Sequence, residues 1–470
     1  MHVESMHFKA RAGDALTDDV LQANLRKFGA SGFALARAKA VEAYGADGFE
    51  RLRTAGAAIR DRALATLDAY IERFEREAKR RGATVLFAQT GAEACALVLE
   101  ICRRHGVKKA IKSKSMLSEE AGLNEALAAA GVEPVETDLG EYIIQLAGEP
   151  PSHIIAPAVH KSKDEVADLF AAHHRQPRKT DIGEMTREAR AVLRGHFVSA
   201  DLGISGGNFL IAETGSGVIV TNEGNGRMVT TLPRVHVCIT GVEKVIPTLE
   251  DFSVLLRLLT RSATGQPISN YVSMFTGPRR SRDRDGPEHM YFILVDAGRT
   301  NLLGGDMQEM LRCIRCGACM NHCPVYRTVG GHAYGWVYPG PMGAVLTPSY
   351  VGLENALDLP HAATLCNQCG VVCPVRIPLP ELLRKLREKQ VEQHLRPQRE
   401  VLALRMWGWV AQRPRLYALA TRWAARALRV LGGRSGRIRR LPFASGWTRD
   451  RDFPAPRGGT FRDLYRKPRA

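Results

Sequence analysis

The sequence predicts an α/β domain built on a mostly parallel sheet. An N-terminal helical region precedes it, and a cysteine-rich segment and a basic helical tail follow. Three observations carry this. From Thr84 to about residue 300, short apolar runs alternate with amphipathic helical stretches, as in a sheet covered on both faces. Seven of the ten cysteines fall in two motifs between Cys313 and Cys373. The net charge of +17 is concentrated at one end. Residues 421–470 hold 14 lysines and arginines against Asp450, Asp452 and Asp463, so +11 lies in the last 50 residues and +6 in the first 420. A length of 470 residues suits two or three domains at ~100–200 residues each. The expected regions are 1–80, 81–300, 301–395 and 396–470.

Residues 1–80 carry apolar residues at three- and four-residue spacing with charges between, so helices are expected that pack on a neighbouring domain or partner. TVLFA (84–88) reads as a strand and GAEACALVLEICRRHG (91–106) as a helix. KKAIKSKS (108–115) reads as strand and loop. LSEEAGLNEALAAAG (117–131) reads as one helix capped by Ser118. VEPVETD (132–138), SHIIAPA (152–158), FLIAETGSGVIVTN (209–222), RVHVCITG (234–241) and MYFILVDAG (290–298) read as strands. Cys95, Cys102 and Cys238 lie in apolar surroundings without ligand spacing and are expected in the core.

The polar loops of this region supply candidate site residues. Residues 201–227 are rich in glycine, which lets backbone approach a ligand closely, and they also hold Glu213, Asn222, Glu223 and Arg227. Asn222, Glu223 and Arg227 could grip a small carboxylate, with Arg suited to bidentate pairing. They could equally be polar turn residues. Lys112, Lys114, His160 and Lys161 follow expected strands, where open α/β sheets bind ligands. Neither G-x-G-x-x-G at a strand-to-helix junction nor G-x-x-x-x-G-K-[ST] occurs, so dinucleotide binding has no positive signal.

Cys313, Cys316, Cys319 and Cys323 stand as C-x2-C-x2-C-x3-C before Pro324. Cys366, Cys369 and Cys373 stand as C-x2-C-x3-C before Pro374. This is the spacing of bacterial two-cluster ferredoxins, in which the last cysteine of each run crosses to the other cluster. One [4Fe–4S] set is then Cys313, Cys316, Cys319 and Cys373. The other is Cys323, Cys366 and Cys369, with Ala363 where an eighth cysteine would stand. The second cluster is therefore a [4Fe–4S] with a non-cysteine or open iron site, or a [3Fe–4S]. Zinc also takes thiolates at C-x2-C spacing, but the full string is far more typical of iron–sulfur. His332 and His361 flank the motifs, and His361 is a candidate fourth ligand. The 42 intervening residues, rich in Gly, Pro and Tyr, can wrap a cluster and exclude water.

The first residues, MHVESMHFKARAGD, have no apolar stretch of a signal peptide, and no run of ~18 apolar residues could span a bilayer. A reducing cytoplasmic setting is expected. Residues 381–440 return to helix, with Trp407, Trp409, Tyr417 and Trp423 beside arginines. Such a tail suits a partner subunit or an anionic membrane surface at the inner face. No nucleic-acid-reading motif is present. The final 30 residues read as loosely ordered.

Along most of its length the chain resembles the LutB (LldF, YkgF) family, the iron–sulfur subunit of the bacterial L-lactate utilisation system. The resemblance rests on KSKSMLSEEAGLNEAL, VETDLGEYIIQL, PSHIIAPAVHKSKDEV, IAETGSGVIVTNEGNGR, TGVEKVIPTLEDF, FTGPRR and both cysteine motifs. It implies a LUD domain related to the NagB/RpiA/CoA-transferase-like sheet. It implies an α-helical ferredoxin of the kind in succinate dehydrogenase and fumarate reductase iron–sulfur subunits, with two [4Fe–4S] clusters. Seven cysteines without an eighth is also the family pattern. The implied partners are a second iron–sulfur subunit and a LUD-only subunit. The implied activity is oxidation of L-lactate to pyruvate, with electrons passed toward a quinone or soluble carrier. L-lactate then binds either on this chain, near Glu213 to Arg227, or on a partner, leaving this chain an electron-transfer scaffold. A residual CoA-transferase-like activity of the sheet is a third expectation, which leaves the cysteines unexplained.

Overall fold

The computed structural model describes residues 3–441, 447–448 and 451–465. Two compact units follow one another, residues 1–389 and 390–470. The first holds the sheet and every motif cysteine. Its strands are β1 (Thr84–Ala88), β2 (Lys109–Lys112), β3 (Glu133–Glu136), β4 (Leu202–Ser205), β5 (Phe209–Ile211), β6 (Ser216–Thr221), β7 (Val235–Gly241), β8 (Val245–Ile246), β9 (Tyr271–Phe275) and β10 (His289–Val295). Six of them form a sheet in the order β1-β10-β7-β4-β2-β3, parallel throughout. β4 and β7 are buried at every residue, as in a parallel sheet covered on both faces. The other four form a smaller sheet, β8-β5-β6-β9, built on the antiparallel hairpin of β5 and β6.

Both faces of the large sheet are covered. On one, Cys95, Val98 and Cys102 of the helix Gly91–His105 pack with Ile204, Val237 and Ile293. On the other, Phe74 and Ala78 of the helix Leu67–Arg80 pack with Cys238 and Phe292. The three lone cysteines are thus core residues, and burial pushes the Cys102 thiol up to about 11 and the Cys238 thiol up to about 12.

The strand order places a switch point between β2 and β4. The chain leaves β2 outward to β3, then crosses back to β4 and proceeds through β7. A crevice opens at such a point, beyond the carboxyl ends of the strands.

Three details differ from the sequence-based expectations. The stretch 117–131 is two helices, Met116–Ala121 and Leu123–Ala129, broken at Gly122, whose φ of 71° favours glycine. Its cap is Ser115, not Ser118: the Ser118 N–H donates to the Ser115 hydroxyl at 3.3 Å. Residues 152–158 form no strand. The Ile155 and Ala156 N–H groups both donate to His153 Nδ1, each at 3.0 Å, and fold the segment into a turn that ends at Pro157.

The N-terminal helices, which include Asp19–Ser31, Phe33–Tyr44 and Ala46–Ala65, lie against the cysteine-rich segment. Arg53 donates to the Cys373 carbonyl from Nε at 2.9 Å and Nη2 at 2.8 Å. Arg60, fully buried, donates to the carbonyls of Glu243 and Leu311. The expected regions 1–80 and 81–300, with residues 301–389 of the third, thus share one compact unit.

The second unit holds helices Gln398–Ala411 and Pro414–Gly432, a strand pair Arg437–Ile438 with Phe453–Pro454, and a short helix Phe461–Tyr465. Trp407, Trp409 and Trp423 are exposed, and the Arg413 guanidinium lies 4.0 Å from the centre of the Trp409 ring. The expectation of loose order over residues 441–470 falls in part outside the described residues. No described helix is long and apolar enough to cross a membrane.

Candidate functional site

Cys313, Cys316, Cys319 and Cys373 line one enclosed hollow, walled by Ile154, Ile314, Met342 and Val375. This is the crossed set. Local backbone explains the convergence. Arg315 (φ 57°) and Gly317 (φ 71°) are left-handed, so the chain coils tightly enough to turn its sulfurs to one side. The Arg315 N–H points at Cys313 Sγ at 3.4 Å, and the Ile377 N–H at Cys373 Sγ at 3.3 Å. Cys373 ends the helix Gln368–Val372 and is pinned by Arg53.

The second set gathers less tightly. Cys323 is buried, Cys369 half-buried and Cys366 exposed. Burial first, and the Cys323 and Cys366 sulfurs after it, push the Cys369 thiol up to about 12. Leu365 and Asn367 on either side of Cys366 are left-handed. Ala363 offers no ligating side chain, and its carbonyl accepts from Arg387 at 3.1 Å. His361 is exposed at the end of a 3-10 turn whose Leu359 and Pro360 are buried. His332 is engaged elsewhere: its Nε2 donates to the Pro150 carbonyl at 2.8 Å, and burial lowers its pKa to about 4.

These residues fit iron–sulfur clusters. Four sulfurs surround one hollow, and N–H donors aimed at two of them would draw charge from the thiolates and so tune such a centre. Burial pushes Cys316 up to about 12 and Cys373 up to about 11, so both are neutral thiols until a metal displaces the proton.

A separate cavity of about 260 Å³ fills the crevice between β2 and β4. Its walls include Ser113 to Ser115 after β2, Gly206 to Asn208 after β4, Thr240 near the end of β7 and Lys244 after it, and Asn222, Glu223 and Asn225. Lys114 lines it and donates to the Ile155 carbonyl at 2.7 Å. The floor is a buried charge network. Arg299 pairs with Glu120 at 2.7 Å and Glu243 at 3.0 Å, and Arg315 faces Glu243 at 3.7 Å and the Tyr338 ring at 4.7 Å. Burial opposes charge on Glu243, yet Arg299 first, then Lys244 and Arg315, hold its carboxyl down at about 2. Arg315 and Ile154 line the thiol hollow as well as this cavity, so the two share a wall.

Of the residues singled out in the sequence, Asn222, Glu223 and Lys114 meet in the cavity. Glu213 does not line it; exposed, it accepts from the Leu249 N–H at 2.9 Å and caps the helix Leu249–Ala263. Arg227 is exposed on the short helix Asn225–Thr231, outside the cavity. Lys112 is buried on Glu136 and Asn124, each at 2.6 Å, and His160 and Lys161 both hold Glu149. Lys244, Asn225, Glu243, Arg315 and Tyr338 were not legible. Lys244 follows a strand just as Lys114 does, but Arg315 reads as a spacer inside a cysteine motif.

Family models match in three consecutive blocks: a LUD domain over residues 71–295, a 4Fe-4S dicluster domain over 309–377, and "Lactate utilisation protein B, C-terminal" over 382–469. Fold and site thus define a LUD-domain protein with a 4Fe-4S dicluster segment. Its relatives are more particular. Lactate utilization protein B of Bacillus licheniformis is 43% identical over 471 residues, 99% of this chain and 97% of that one. The protein of that name from Bacillus subtilis is 44% identical over 89% of this chain and 88% of its own. That from a Geobacillus species is 45% identical over 89% of each. The chain belongs to the lactate utilization protein B family.

Proposed function

We propose that this chain is the iron–sulfur subunit of a complex that oxidises L-lactate to pyruvate. One observation carries the reading: the crevice at the sheet's switch point and the hollow of Cys313, Cys316, Cys319 and Cys373 are two sides of one wall. Family membership supplies the substrate. Bound by that set and by Cys323, Cys366 and Cys369, two iron–sulfur clusters would supply one-electron transfer, the second as [4Fe–4S] or [3Fe–4S].

The protein's own residues do the rest. Ile154, Met310, Ile314, Met342, Val375 and Leu379 wall the hollow of the first cysteine set with apolar side chains and keep water from it. Lys114, Asn222 and Glu223 present polar groups to the crevice. Glu223 is exposed at the cavity's edge, and partial burial first, with Asp138 after it, raises its carboxyl, the direction that suits a group taking up a proton. Losing two electrons and two protons from a hydroxyl-bearing carbon requires such a base. The first cysteine set faces inward, whereas the second opens to solvent at Cys366 beside exposed Leu365 and Val371, which suits hand-over to another subunit. The LUD region keeps the CoA-transferase-like sheet, and the cysteine segment the α-helical ferredoxin, as proposed fold relationships. A second iron–sulfur subunit and a LUD-only subunit are the proposed partners. The arginines and exposed tryptophans of the second unit suit docking of one of them.

The test is electron paramagnetic resonance of the protein purified without air, alone and with its partner subunits. L-lactate should reduce the clusters in the complete complex. No reduction with every partner present would overturn the reading.

A further inference from the structure

Two groups in the crevice keep unspent hydrogen-bonding capacity. Lys244 lines it, and its ammonium meets only the Cys313 carbonyl, at 3.5 Å. Among the described residues no carboxylate oxygen lies within ion-pair distance of it. Lys244 is half-buried and feels Glu243 only through space, so its ammonium keeps donors unspent. Its neighbour Arg315 is also undersupplied. Its guanidinium has a long 3.7 Å contact to Glu243, a 3.2 Å contact to Met342 Sδ and the face of Tyr338, which leaves donors of the fork unspent. The cavity's lining holds Lys114, Lys244, Arg299 and Arg315 against Asp138, Glu223 and Glu243, with Lys244 and Arg315 half-buried. Positive charge is therefore in excess beside an open cavity.

The second group is Asn225, which is 7% exposed and whose Oδ1 has no partner. Its orientation is fixed by its neighbour. The Thr137 hydroxyl spends its hydrogen on the Lys112 carbonyl at 2.6 Å, so it offers only a lone pair to the Asn225 amide at 3.4 Å. The amide NH2 must face Thr137, and Oδ1 is left as an acceptor. A ligand that satisfies both features carries an anion at one end and a hydrogen-bond donor at the other.

We infer that the crevice is a binding site for a small 2-hydroxycarboxylate, with Lys244 and Arg315 taking the carboxylate and Asn225 Oδ1 accepting from the hydroxyl. The inference rests on the proposed function, since it places the hydroxy acid on this chain rather than on a partner. A cavity of about 260 Å³ admits a three-carbon acid with ordered water. A carboxylate on Lys244 would lie beside the backbone of Cys313, at the wall shared with the first cysteine set.

Calorimetric titration of the full chain, purified without air and with iron and sulfide content verified, tests it. L-lactate and propionate are the probes, because propionate keeps the carboxylate and lacks the hydroxyl. L-lactate should bind, and propionate about tenfold more weakly. Lys244→Met should weaken both by about ten- to hundredfold, the worth of a charge-assisted hydrogen bond. Asn225→Leu should bring L-lactate down to the level of propionate. Absence of L-lactate binding to the loaded chain, or unchanged binding in both variants with iron and sulfide intact, would overturn the inference. Where Lys244→Met loses iron, Asn225→Leu alone decides. If L-lactate reduces the complete complex but does not bind the loaded chain, the site is on a partner: this inference and the Glu223 role fall, while the iron–sulfur subunit reading stands.

Discussion

Cys373 reaches the hollow of Cys313, Cys316 and Cys319 from the far motif, across the whole aromatic segment between them. If it serves that set, Cys373→Ser should remove the first cluster and spare the second. The expected result is about half the iron, with the signals of two interacting centres replaced by those of one. Retention of both centres, or loss of the one held by Cys366 and Cys369, would reverse the crossed assignment. At this scale the cysteines were legible because ligation imposes spacing on the sequence itself. Lys244 and Asn225 were not, because what marks them is a missing partner, and partners are a property of the folded molecule.

Among elements, β4 and the helix Asn225–Thr231 form the tightest contact near the crevice. A Cβ at Gly203 would stand 1.9 Å from the Val229 carbonyl oxygen, so the helix approaches only because that position has no side chain. Gly203→Ala should push the helix outward and destabilise the protein by about 2–3 kcal/mol. It should also weaken binding in the crevice, since Asn225 moves with the helix. Denaturant midpoints and L-lactate titration would report both, and unchanged values would show that the helix yields freely. The sequence revealed the strands whose apolar runs are long. It hid β4, whose four residues lie among glycines, and it made residues 152–158 look like a strand. There β-forming residues are overruled by one histidine ring that collects two backbone N–H groups.

Across the whole molecule, acid should be destabilising. His236 is fully buried on β7 against the Ser205 hydroxyl at 2.8 Å, and burial lowers its pKa from 6.5 to about 3. His153, also fully buried, is lowered to about 4 by burial, against the hydrogen bond it shares with Asn321. Both rings stay neutral in the folded protein while the unfolded chain protonates them below pH 6.5. Stability should therefore be full above that pH and fall as pH drops toward 4, by up to about 1.4 kcal/mol per pH unit for each ring. Urea midpoints at several pH values and constant ionic strength would show the slope. His236→Gln should make it shallower, and an equal slope in that variant would assign the effect elsewhere.

The strand order also bears on how a ribosome must deliver this chain. β10, the last strand of the large sheet to be made, inserts between β7 and β1, and β1, the first, has no other neighbour in the sheet. Until residue 295 has emerged, a nascent chain carries two bare strand edges, and β1 waits unpaired while some two hundred residues are added at ~5–20 per second. That interval, of the order of ten seconds or more, is when a chaperone would have the most to shield.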